Sequence, residues 1–311
     1  SAGKKLTALF TAMLHDEGMI DLDMPIKSYL PSNIANNIPD AESMSVRQLL
    51  NHTSGIFEYN DVADYAFFKA QFSEPDKLKT DIFPLSFTFN HPASFSPGMD
   101  WQYSNTGYAL IGVMLENILG HHHAQDIRKK ILLPLGMQKS FFKGIEQSMS
   151  EISSGYFFND SDGDFPTPVN LWFDTKEVIL HSAFSDAPLV ASVEDLAKLL
   201  KSIVKGHEAI SHDVRENMIG DNHLVRAWGP NFYDASTLYY GLGIFVEEIN
   251  GVKIYHHGGT EFGYFTQNIY IPEDDISITA FVNCGVNDFC ESRFQKFTFD
   301  ILESFLKIKT R

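Results

Sequence analysis

Apolar residues recur at helical spacing from the start of the chain. Leu6, Leu9, Phe10, Met13 and Leu14 predict a buried helix that stops near Gly18. Asp21 to Pro25 form a turn, and Ser45 to Leu50 read as a short capped helix closed by Asn51 to Gly55. Residues 56–95 mix helix and loop. After the turn Phe95-Ser96-Pro97-Gly98, an apolar helix is predicted from about Tyr108 to Leu119, with Gly120 as its stop. Ser192 to Asp195 match the acidic form of a capping box and predict a helix over Leu196 to Ile203. From Leu238 the period becomes strand-like. Tyr239 to Ile249 reads as one strand, Asn250-Gly251 as a hairpin turn and Val252 to His256 as the return strand. Phe265 to Ile271 and Ile276 to Asn283 form a second pair, and a final helix runs from about Cys290 to Ile308. The fold class is therefore α+β. Residues 1–235 form a mostly helical domain, and residues 236–311 form an antiparallel sheet of about four strands flanked by a helix. Repeats and low-complexity linkers are absent from the sequence, so the two parts are expected to pack together.

Composition narrows the function. With 24 basic and 40 acidic residues, the 311-residue chain carries a net charge of −16. Nucleic acids and anionic membranes need basic patches, so neither is an expected partner. No apolar run reaches the ~18 residues of a membrane-spanning helix. Cys284 and Cys290 read as two free thiols, with a single bridge in an oxidising compartment as the alternative. Asn159 to Asp164 is acidic around Gly163, but Phe158 stands where a calcium-binding loop needs its first acidic ligand, so a solvated loop is expected. His121 to His123, placed on a helix, would point in different directions. No metal site and no cofactor are expected.

Three short patterns carry the candidate chemistry. Ser1 and Lys4 share a helix face if a helix begins here, which brings a hydroxyl within reach of an amine that can take its proton. Taken alone, S-x-x-K equally describes a helix-capping serine followed by a surface lysine. Tyr103-Ser104-Asn105 lies in a loop just before a helix, where side chains can be aimed into a cleft. His257-Gly258-Gly259 follows the strand ending at His256. His52 is expected to be a hydrogen-bonded structural residue.

The order S-x-x-K, Y-x-N and [K/H]-x-G resembles the serine β-lactamase and penicillin-binding-protein superfamily, specifically its class C β-lactamase-like branch. Further stretches agree with that branch: GMIDLDMPIKSYLP, VRQLLNHTSGI, FSPGMDWQYSNTGYALIGVMLENILG, LLPLGM, YYGLGIFV and HHGGTEFGY. The resemblance implies a β-lactamase/transpeptidase-like fold and a serine hydrolase working through an acyl-enzyme. It makes Ser1 the nucleophile and Lys4 its base or proton relay. Tyr103 becomes a general acid or base, its phenol pKa lowered by nearby lysine charge. Asn105 binds the substrate amide or orients Lys4. His257 takes the third motif's lysine position, with His256 as its competitor, and Thr260 offers an oxyanion-hole N–H beside Gly258 and Gly259. A periplasmic or secreted location is favoured by the same resemblance.

Two departures refine this expectation. Histidine in the third motif is familiar among D-Ala-D-Ala carboxypeptidases, D-aminopeptidases and family VIII esterases, whereas lysine goes with β-lactamases. An ester or peptide-like amide is thus the expected small-molecule substrate. The alternatives are a β-lactamase, or a catalytically silent penicillin-binding-like module. In the resembling family, edge strands and a helix precede the nucleophile. A preceding segment or a partner chain is therefore expected to complete the sheet beside this one.

Overall fold

The computed structural model describes residues 1–146, 151–160, 164–228, 238–249, 251–286 and 288–309. Asn250 and residues 161–163, part of the predicted hairpin turn and acidic loop, lie outside them. Six helices frame the cleft and the sheet behind it: α1 (Lys4–Asp16), α2 (Val46–Leu50), α3 (Asn105–Leu119), α4 (Ala124–Ile127), α5 (Val193–Lys205) and α6 (Asp288–Lys309). Local chemistry sets their ends. Ser45 and Gln48 close a reciprocal capping box on α2. Ser192 Oγ accepts from Asp195 N at 3.2 Å to start α5. Gly120 ends α3 in the left-handed region at φ 72°.

The sheet holds seven strands among the described residues, where about four were expected. They are β1 (Val225–Arg226), β2 (Tyr239–Tyr240), β3 (Phe245–Ile249), β4 (Val252–His256), β5 (Gly259–Glu261), β6 (Tyr264–Ile271) and β7 (Ile276–Val282). The order is β5-β6-β4-β3-β2-β1, with β7 paired to β6, and the pairings are antiparallel. The predicted strand Tyr239 to Ile249 is in fact two. The chain reverses at residues 241–244, so that Tyr240 pairs Phe245 and Tyr239 pairs Val246. Gly243 makes this turn with φ 72°, and a Cβ there would lie 2.8 Å from the Lys5 backbone. Strands of two or three residues are too short to show a period, which is why β1 and β5 went unpredicted.

One face of the sheet packs on the helices. Leu6, Leu9 and Phe10 of α1, Leu110 and Met114 of α3 and Leu199, Leu200 and Ile203 of α5 share a core with Val246, Tyr255 and Tyr270. Each such side chain contributes about 1.5–3 kcal/mol by leaving water. The other face puts Val252, Ile254, Ile269 and Ile271 against Leu302 and Leu306 of α6. Helix α1 is buried on nearly all sides, so its first turn is held rigidly between α3 and the sheet. Cys284 and Cys290 are disulfide-bonded, which corrects the free-thiol reading. The start of α6 folds back on the end of the sheet, bringing the two Cα atoms to 6.1 Å, within bridging range.

Candidate active site

The turn that leads into α1 places the candidate nucleophile and its partner. Lys4 N donates to Ser1 O at 2.9 Å, and the turn brings Lys4 Nζ to 3.2 Å from Ser1 Oγ. Lys4 is fully buried. Its Nζ also donates to Asn105 Oδ1 at 2.7 Å and to the Asp186 carbonyl at 2.9 Å, and lies 3.8 Å from Asp186 Oδ2. A surface lysine beside a capping serine would make none of these contacts.

Asn105 is the first residue of α3, and its orientation is fixed from behind. Glu58 accepts from Asn105 N at 2.6 Å and Thr106 N at 3.2 Å, so it neutralises free N–H groups at the helix start. Its other oxygen accepts from Asn105 Nδ2 at 3.1 Å, which turns Oδ1 towards Lys4. Burial raises the Glu58 pKa, against the lowering effect of its hydrogen bonds to Thr106, Asn105 and Ser104. Sequence reasoning did not find Glu58. It lies 47 residues before Asn105, in a loop with no periodic signal.

Tyr103 packs between His52, with ring centroids 4.2 Å apart, and Phe245 at 6.5 Å. Lys4 Nζ is 5.0 Å from the Tyr103 ring centroid. Among the described residues the Tyr103 hydroxyl has no hydrogen bond of good geometry, although Ser1 and Lys4 lie beside it. Burial raises its pKa, and this outweighs the lowering by Lys4 and Ser1. The expected lysine-lowered phenol is therefore corrected: Tyr103 stands as a neutral phenol, suited to give a proton rather than take one. His52 is structural as expected, its Nδ1 accepting from Ser104 N at 3.1 Å.

The opposite wall comes from the sheet. His257 Nδ1–H donates to the Gly258 carbonyl at 2.7 Å, because a carbonyl can only accept. This leaves Nε2 to accept from Tyr240 Oη at 3.0 Å. Burial first, then the charges of Lys5 and Lys4, push the His257 pKa well below its ordinary value, so the ring is neutral. Gly258 and Gly259 allow close backbone approach. A Cβ on Gly258 would lie 2.8 Å from Thr266 O, and one on Gly259 2.8 Å from Ala2 N. Thr260 follows on β5 and is exposed. The competitor, His256, is buried against Glu247 at 2.9 Å.

The structure thus joins Ser1, Lys4 and Asn105 by direct bonds, sets Tyr103 beside them, and faces them with His257 and Gly259. Sequence reasoning also missed Asp186, Tyr59, Tyr240 and Lys5. Tyr59 Oη donates to Asp186 Oδ2 at 3.1 Å, steadying the loop whose carbonyl holds Lys4. Lys5 is fully buried, bonded to Ala2 O at 2.5 Å, and its pKa is lowered to about 7 by burial. A cavity of about 920 Å³ also touches Ser1, lined by Gly3, Leu189, Phe265 and Phe281 among others. Gly259 lines it too, whereas Lys4, Tyr103, Asn105 and His257 do not, so it adjoins the cleft on the Ser1 side.

A buried hydroxyl–lysine pair, a neutral phenol and close backbone donors together suit acyl transfer. Comparison with known proteins agrees with this geometry. Penicillin-binding protein 4* of Bacillus subtilis (strain 168) is 26% identical over 274 residues, covering 86% of this chain and 56% of the relative. Lovastatin esterase of Penicillium rubens is 27% identical over 155 residues, covering 46% of this chain and 38% of the relative. The chain therefore spans little more than half the length of these curated relatives, or less. D-amino acid amidase of Ochrobactrum anthropi SV3, at 23% identity, superposes with a TM-score of 0.79 over 100% of this chain and 83% of that one, and so shares the fold. The Beta-lactamase family profile matches residues 1–295, and the chain belongs to that family.

Proposed function

We propose that this chain is a serine hydrolase that cleaves an ester or a peptide-like amide through an acyl-enzyme on Ser1. The observation that carries the reading is the Lys4 hub. A neutral lysine has two N–H bonds and one lone pair. In that form, which taking the Ser1 proton requires, the Asn105 Oδ1 and Asp186 carbonyl acceptors hold the two hydrogens and the lone pair faces Ser1 Oγ. In the first half-reaction Ser1 Oγ bonds to the carbonyl carbon and its proton passes to Lys4 Nζ. The bond to the leaving alcohol or amine then breaks, Tyr103 gives its proton to the leaving group, and Lys4 passes the proton taken from Ser1 to the Tyr103 oxygen. Water repeats the sequence in reverse and frees the acid. Backbone N–H groups of Ser1 and Thr260 are the proposed oxyanion donors.

His257 supports a choice among substrates. It is neutral, with both ring nitrogens engaged, so it offers no fixed cation for a substrate carboxylate. This favours neutral esters and D-amino-acid amides, in line with the esterase named among the relatives, over β-lactams and other carboxylate-bearing substrates. A panel of p-nitrophenyl esters, a D-amino-acid p-nitroanilide, a D-Ala-D-Ala peptide and a chromogenic cephalosporin tests this. The expected result is the highest kcat/KM on an ester or D-amino-acid amide. A cephalosporin turned over faster than every ester and amide would overturn the ranking. No turnover of any member would favour the silent module.

A further inference from the structure

A second cluster of chemistry-bearing side chains lies behind the active site, where α3 ends. After Gly120 the chain passes through His121, His122 and His123 before α4 begins. These residues are not on a helix; His121 diverges towards Asp126, as expected of it, but His122 and His123 lie together. The His122 and His123 rings stack with centroids 4.6 Å apart and planes 14° apart, and both meet Phe142 near 5 Å (4.9 and 5.0 Å). One ring nitrogen from each histidine and a carboxylate oxygen of Glu116 lie within 4.8 Å of one another. His122 Nε2 is 3.5 Å from Glu116 Oε1.

The bonding pattern identifies which nitrogens are available. His122 Nε2 and His123 Nδ1 are both buried, and among the described residues neither has a hydrogen-bond partner. His123 is fully buried. Buried polar atoms are paired in roughly nine cases of ten, so two orphaned nitrogens beside one carboxylate need a cause. We propose that Glu116, His122 and His123 bind a single divalent transition-metal ion of the zinc type. Two imidazoles and one carboxylate are a usual zinc donor set, and leave a fourth position for water. Magnesium and calcium prefer sites built of oxygen alone.

The outer layer of the site is in place on one side. His123 Nε2 is 3.1 Å from Ser185 Oγ, and Ser185 Oγ donates to Asp81 Oδ2 at 2.7 Å. The Ser185 hydrogen is thereby used, so the proton on the His123 ring sits on Nε2 and the lone pair on Nδ1. An imidazole held through its far nitrogen in this way is the usual support for a metal ligand. The other histidine is less prepared. His122 Nδ1 accepts from Ala124 N at 3.1 Å, which keeps the ring's proton on Nε2. Metal binding through Nε2 moves that proton to Nδ1 and gives up the Ala124 bond. His123 is the better-prepared ligand; the His122 ring, now stacked nearly parallel to it, has to turn towards the ion as it is recruited. Glu116 and His122 retain 34% and 21% side-chain exposure, which opens a path from solvent.

Isothermal titration of the whole chain with ZnCl₂, paired with thermal melts, tests the site. One equivalent of Zn²⁺ should bind and raise the melting midpoint, while Mg²⁺ should not. Glu116→Gln and His122→Asn, both at partly exposed positions, should each weaken Zn²⁺ binding by at least ~10-fold and remove the thermal shift. His121→Asn is the control, because His121 is half exposed and faces Asp126 at 3.4 Å instead; it should bind as the unaltered chain does. Absent binding, or equal response to Mg²⁺, would overturn the proposal. So would binding that survives Glu116→Gln but is lost in His121→Asn, since that marks chelation by exposed histidines alone.

Discussion

The two walls of the cleft are built differently. The helical wall is a closed polar network: Lys4 Nζ is within hydrogen-bond distance of Ser1, Asn105 and Asp186, and Glu58 and Tyr59 hold the last two from behind. The strand wall offers no charge at its third motif. His257 is neutral and tied to Tyr240 and Gly258, and the glycines beside it serve close approach. On the reading proposed above, proton transfer belongs to the helical wall, while the strand wall shapes and aligns the substrate.

Substitutions on the helical wall should have the largest effects. Ser1→Ala is expected to abolish ester turnover. Lys4→Ala should cost at least ~100-fold in kcat, and Lys4→Arg should not restore it, since a guanidinium does not give up its proton. Tyr103→Phe should cost a similar ~100-fold. Steady-state kinetics on the best ester decide this, and near-normal turnover in Lys4→Ala would place the proton path elsewhere.

Glu58→Gln tests whether the support behind Asn105 matters. The neutral amide removes an acceptor for buried N–H groups, a cost of ~1–3 kcal/mol, which should appear as a kcat loss of roughly 10-fold. A loss confined to stability, with kcat intact, would reduce Glu58 to a helix cap. On the strand wall, His257→Gln should change kcat on neutral esters less than any helical-wall substitution. Since the His257 pKa lies well below 6.5, the wild-type rate should show no histidine limb between pH 6 and 8. A limb near pH 6.5 that disappears in His257→Gln would contradict the comparison.

The smallest effect on rate, and a distinct effect on stability, is expected at Lys5. Its folded pKa of about 7 lies below the ordinary 10.5. Between those values the unfolded chain holds a proton that the folded chain does not, so this group makes stability rise with pH across that window. Below pH 7 the folded protein carries the buried charge in full. Lys5→Met should therefore stabilise by a few kcal/mol at pH 6, at about 1.4 kcal/mol per pKa unit, and by little above pH 10. Denaturant unfolding at both values checks the sign.

Much of this architecture could be read in the sequence, for identifiable reasons. Helices α1, α3, α5 and α6 announce themselves by apolar period and by Ser192, Gly18 and Gly120 at their ends. Ser1 and Lys4 are neighbours because helical spacing makes them so. The missed parts depend on contacts between residues far apart in the chain. Glu58 reaches Asn105, Asp186 reaches Lys4 and Tyr240 reaches His257 only after folding. The break between Tyr240 and Phe245 was marked by Gly241 and Gly243, but the apolar residues around them gave one continuous strand pattern. The direction of the Tyr103 shift could not be read from Lys4 alone, because burial opposes the lysine's charge and the sequence does not reveal burial at that position.

The central claim is that Ser1 is the acylated residue, activated by the network around Lys4. Treatment with a serine-directed fluorophosphonate, followed by peptide mass spectrometry, tests it most directly. A single adduct on the peptide carrying Ser1, formed much more slowly in Lys4→Ala, is the predicted result. Labelling at Ser54 or Ser104 instead, or equal labelling of Ser1 with and without Lys4, would contradict it.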